Sequence, residues 1–210
     1  MLSSNNLNLL PSASNLKKIC KAISVLDALL CSDWEFRYYS YNAQWSESEE
    51  FFEMRNGEGD HMLILFQKDS VVINGFSIDC EQPLISDITQ NLPAQFKEFI
   101  FGEPVKSIGT TFCIWKIEAD AWSCGALKNF EDNSETMLAV FDSDPNTYIN
   151  WAKEYHGDYF ITSADTFDLV SKIYQGETLT REIVSSIAAD IEDWEQLELD
   201  LKEISYNYSF

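Results

Sequence analysis

The feature that most constrains this chain is a change of period. From Leu16 to Leu30 apolar residues return every three or four positions, at Leu16, Ile19, Ile23, Leu26 and Leu30. That spacing predicts one amphipathic helix, with Ser14 as its cap. From Trp34 the spacing shortens. The segments WEFRYYSYN, FFEMR, MLILFQ and VVINGFSI are short, aromatic and β-branched, and turn-like EGD and KDS lie between them. They predict a four-stranded antiparallel meander. LPAQFKEFIFGEP then reads as a short helix opened by Pro93 and stopped by Gly102 and Pro104, and TTFCIWKI with AWSCGAL as a second hairpin.

Past residue 130 the helical period returns. Asn133 or Ser134 opens one helix; Asp144 caps the next, with Pro145 at its first position and Gly157 at its end. Ser163 caps a third that closes at Gly176, and a last helix is expected from about Ile187 to Ile204. A helix, a run of strands and a run of helices describe an α+β domain. Its antiparallel sheet has about six strands, and the N-terminal helix and the C-terminal run of helices pack on one side. With no linker or repeat, residues 1–210 form a single domain, 1–13 loosely ordered and 190–210 an acidic helical extension.

Charge narrows the partners. Fourteen Lys and Arg against thirty-five Asp and Glu leave a net charge of −21. Such a field repels phosphate backbones and anionic lipid and attracts basic surfaces, so direct nucleic-acid binding and membrane binding are disfavoured. The opening MLSSNNLNLLPSASNLKK has no positive region ahead of an apolar stretch, and nowhere do eighteen apolar residues run together, so a cytoplasmic location is expected. Cys20, Cys31, Cys80, Cys113 and Cys124 lie in apolar or strand-like segments and read as reduced, mostly buried thiols.

No complete catalytic signature is present. MRNGEGDHMLILF, residues 54–66, gathers Arg55, Asp60 and His61, but its glycines sit between two strands, where hairpin loops need positive φ. A phosphate-cradling loop would lead into a helix instead. DSDPN at 142–146 starts like a calcium loop, yet Thr147 stands where glycine belongs and Lys153 where the bidentate glutamate belongs. His156, before Gly157, suits a helix C-terminus. No metal-ligand cluster and no cofactor motif emerge, so neither metal nor cofactor is expected.

Taken together, WEFRYYSYN, MRNGEGD, INGF, TTFCIW and YINWAKEYH resemble a family of uncharacterised bacterial cytoplasmic proteins, over roughly residues 16–187. Its markers are the Arg-Tyr-Tyr strand and the Met-Arg-Asn-Gly-x-Gly-Asp turn. In size and acidity the chain is also loosely similar to the immunity proteins of bacterial toxin systems. That similarity implies a non-enzymatic protein that occludes a basic cognate toxin domain. The expected contact residues are Glu192, Glu195, Leu199, Asp200 and Glu203 on the outer face of the last helix, with Glu58 and Asp60 as a further acidic surface. The alternative is a small-ligand protein or enzyme built on Arg37, Arg55, Asp60 and His61, where arginines would fix an anion.

Overall fold

Side chains alternate across a strand, and a meander in which both alternating sets are apolar must be covered on both faces. A computed structural model of the chain describes residues 1–126, 131–191 and 193–210. Helix α1 (Ala13–Leu30) precedes β1 (Tyr39–Ser46), β2 (Glu49–Arg55), β3 (His61–Gln67) and β4 (Ser70–Phe76). Three short helices follow, α2 (Ile85–Ile88), α3 (Lys97–Phe101) and α4 (Val105–Ile108), then β5 (Phe112–Lys116) and β6 (Ser123–Cys124). The C-terminal part holds α5 (Ser134–Leu138), α6 (Pro145–His156), α7 (Thr166–Tyr174), β7 (Leu179–Thr180), α8 (Arg181–Ile187), α9 (Trp194–Ile204) and β8 (Tyr208–Ser209). The six strands pair in chain order, β1-β2-β3-β4-β5-β6, each antiparallel to the next. β7 and β8 form a separate parallel pair. The α+β class and the six-stranded antiparallel sheet stand as the sequence predicts.

One face of the sheet carries Phe52, Met54, Ile64, Phe66 and Ile73, and packs with α1 and the helices from α5 to α9 into the main core. The other carries Phe51, Leu63, Leu65, Val72 and Trp115 and is covered by Phe96, Phe99, Ile100 and Val105 from the α2–α4 segment. The result is three layers. The single short helix expected near Pro93 is thus the lid of a second core.

Local details depart from the sequence reading. Helix α1 is capped by Ser12, whose side chain accepts from Asn15 N, rather than by Ser14. Trp34–Phe36 form a 3₁₀ turn capped by Asp33, so β1 begins at Tyr39. Helix α7 begins at Thr166 after an Asp165 cap position, with Ser163 Oγ accepting one step earlier from Asp165 N. The last helix does not run from Ile187. Ile187 ends α8, Ala188 leaves the helix to bridge Phe160, and α9 starts afresh at Trp194 under an Asp193 cap. Asp144 caps α6 with Pro145 inside its first turn, and Gly157 closes it, as expected.

Both chain ends are drawn in. Leu2, Ser3 and Leu10 are buried, and Ser4 bonds to Asp132 Oδ2 and Ser134 Oγ. Leu197, Leu201 and Ile204 of α9 belong to the main core.

Candidate functional site

The four residues of the small-ligand alternative are each engaged in structure. Arg37 is buried; its guanidinium donates to the carbonyls of Cys31 and Ser32 and pairs with Asp200. Arg55 lies over the Trp34 ring at 4.3 Å and donates to the Trp34 carbonyl, with Glu53 at 3.7 Å. Asp60 accepts from Ile78 N and from Asn133 Nδ2. His61 pairs with Arg55 across β2 and β3. Burial, reinforced by Arg55 and opposed by Asp60, lowers its pKa, and Nδ1 is buried without a partner. The loop between those strands is turn chemistry: Asn56 Oδ1 accepts from Glu58 N and Asp60 N, and Gly57 and Gly59 take φ of 76° and 115°.

The acidic outer face of the last helix is narrower than expected. Glu192 lies outside the described residues. Asp200 is a correction: it is buried, three residues after Leu197 and four before Ile204, and so stands on the apolar stripe itself. A carboxylate there needs a cation, which Arg37 supplies. Glu195, Leu199 and Glu203, at spacings of four, line one exposed row of α9. Leu199 is 57% exposed. Glu58 is at the exposed tip of the β2–β3 turn.

The row ends in a groove. Where α9 packs against β1, the outermost strand of the sheet, a cavity of about 250 Å³ opens. Its buried base holds Ser24 and the Arg37–Asp200 pair; Trp34, Trp45 and Phe51 form aromatic walls; Glu53 and Glu203 supply carboxylates nearer solvent. Local sequence explains the walls. Between the pairs Asn42↔Phe51 and Ser46↔Glu49, three residues of β1 oppose one of β2, and this bulge turns Trp45 outward to stack on Phe51 at 4.4 Å. The 3₁₀ turn presents Trp34, held from above by Arg55.

The electrostatics favour a cation. Three carboxylates meet one guanidinium in the lining, and that guanidinium is already paired. Burial raises the pKa of Glu53, with Arg55 opposing. Burial also raises Glu203, with Asp200 adding and Arg37 opposing. Among the described residues no ion pair or side-chain hydrogen bond reaches the Glu203 carboxylate. Ser24 Oγ is buried without a partner. A larger depression of about 660 Å³ between α1 and α7 balances Lys18 and Lys172 against Asp168 and Glu177 and so shows no comparable bias. Arg55, Asp60 and His61 line neither.

Sequence reading missed Asp27. Fully buried in α1, its Oδ2 accepts from Tyr38 N at 2.8 Å and Tyr39 N at 2.9 Å; its Oδ1 lies 3.3 Å from His156 Nε2 and 3.5 Å from Tyr148 Oη. His156, at the end of α6, is therefore a partner of a buried carboxylate as well as a helix-terminal residue. The signal was a lone carboxylate within the apolar run ISVLDALL. The five cysteines are free thiols, with Cys20 and Cys113 buried. Among the described residues no helix is long and apolar enough to cross a membrane. No family model matches the chain, and no curated protein or solved structure is significantly similar to it.

Proposed function

We propose that this chain is a non-enzymatic binding protein, an immunity protein that uses acidic surface to occlude a basic bacterial toxin domain. The observation that carries this reading is the continuity of the Glu195–Leu199–Glu203 row with the acidic, aromatic-walled groove at the β1 edge. Carboxylates around an apolar residue suit a basic surface with a small apolar pocket, because charge guides encounter while desolvated apolar and aromatic anchors supply most of the affinity. The net charge of −21 and the loose similarity to acidic immunity proteins support the same assignment.

The test is protection. Expression of a basic toxin domain encoded beside this chain's gene arrests growth, and co-expression of this chain restores it through a complex that survives gel filtration. Leu199→Ala weakens that complex about 5- to 30-fold, or ~1–2 kcal/mol, and leaves the unfolding midpoint in place. Glu195→Lys with Glu203→Lys slows association. Continued growth arrest, with no complex on mixing, would remove the reading.

A further inference from the structure

We propose that the groove between β1 and α9 is a receptor for one arginine side chain, presented by the basic partner, with Glu53 and Glu203 as its carboxylate acceptors. The source of that arginine rests on the function proposed above; the chemistry of the receptor rests on the groove alone.

Size comes first. At about 250 Å³ the cavity falls below the roughly 300–1,000 Å³ of sites that enclose a whole organic ligand. It suits a single side chain. Charge comes next. With Arg37 bound to Asp200 and two carbonyls, the lining keeps an excess of carboxylate: Glu53 has only Arg55, at 3.7 Å, and Glu203 makes no ion pair among the described residues. An anionic or apolar occupant would leave that excess uncompensated in a partly desolvated site, whereas a cation offsets it.

Shape separates arginine from lysine. The exposed rings of Trp34 and Trp45 flank the opening, at 47% and 45% exposure, and a planar guanidinium stacks on such faces. The chain already makes this contact once, where Arg55 covers Trp34. A guanidinium also brings five donors to dispersed acceptors. Glu53 and Glu203 accept from two sides, and Ser24 Oγ, 1% exposed as a residue and with no partner of its own, provides a third acceptor at the buried end. An ammonium gathers its three donors on one compact centre and so matches dispersed acceptors and flanking rings less well than a planar fork. Partial burial raises the pKa of both Glu53 and Glu203, and a cation beside them offsets that cost to their ionised forms.

The experiment uses the full chain and three capped tripeptides, glycine–X–glycine, with X as arginine, lysine or citrulline, followed through the indole N–H resonances of Trp34 and Trp45. The arginine peptide should move both resonances saturably. The lysine peptide should bind at least about fivefold more weakly, and citrulline, which keeps the shape and loses the charge, should not bind. Glu203→Gln should weaken arginine binding about tenfold, and Ser24→Ala should weaken it less, each with an unchanged amide spectrum elsewhere. Equal binding of citrulline, or shifts confined to other residues, overturns the receptor. A toxin-domain complex sensitive to Glu195→Lys, with no arginine-peptide binding, overturns the receptor and leaves the proposed function standing. Peptide binding without any toxin-domain complex overturns the proposed function and leaves the receptor standing.

Discussion

Asp27 shows how one residue can organise three elements. It holds two backbone N–H groups at the start of β1 and meets His156 at the end of α6 from its place in α1. Asp27→Ala strands those donors in the core, and urea unfolding should report a loss of about 3–5 kcal/mol, with Asp27→Asn costing less because one oxygen remains to accept. Two other residues contribute to the acid limb of stability. Burial opposes ionisation of Glu50, but the Tyr41 hydroxyl, Lys17 and Lys21 outweigh it and pull its pKa down to about 2. Its contribution is complete above the ordinary value of 4.5 and disappears as pH falls through about 2. His61, with its lowered pKa, binds fewer protons folded than unfolded, so stability also falls as pH drops through the ordinary 6.5. Denaturation midpoints measured from pH 7 to pH 2 should fall in both windows. Glu50→Gln should remove the lower step, and His61→Phe the upper one. Neither residue's role was legible in the sequence: the partners of Glu50 lie on α1 and β1, and His61 is partly buried opposite Arg55 only once β2 and β3 pair.

At the scale of elements, what was legible is what local chemistry decides. The apolar period of α1, the short aromatic and β-branched runs of β2 to β4, and the Asp144–Pro145 start of α6 are all properties of contiguous residues, and each stands where the sequence places it. What was not legible depends on distant partners. Trp34 forms a 3₁₀ turn and not a strand beneath Arg55, which is 21 residues away. The bulge in β1 carries no glycine or proline to announce it, and the turn of Asp200 toward the core is understood only with Arg37, 163 residues earlier. The groove inherits this: its acidic row was visible in the sequence, and its walls and base were not. Helix α9 is fastened to the sheet edge through that buried pair, so Asp200→Ala should leave a guanidinium buried without its counter-charge. Thermal and urea unfolding should show a loss of about 3–5 kcal/mol, while Glu195→Ala, on the exposed row, should stay within about 0.5 kcal/mol.

At the scale of the whole molecule, net charge acts on fold and partner in opposite directions. Self-repulsion among thirty-five carboxylates is screened by salt, as is attraction to a basic surface. Raising sodium chloride from 20 to 500 mM, a range spanning Debye lengths of roughly 20 to 4 Å, should raise the unfolding midpoint and slow association with the proposed basic partner, leaving dissociation little changed. Stopped-flow association and thermal melts on the same samples check both arms. The sheet itself pairs strands in chain order, so its contacts close early along the chain, but the Arg37–Asp200 pair joins the entry to the first strand to the last helix. On a ribosome adding about 5–20 residues per second, Asp200 follows Arg37 by roughly ten to thirty seconds. Through that interval the meander can assemble while its outer edge has neither α9 nor the counter-charge for Arg37. The groove therefore comes into being only with the final helix, and the chain acquires its proposed binding surface at the same moment that Arg37 acquires its counter-charge.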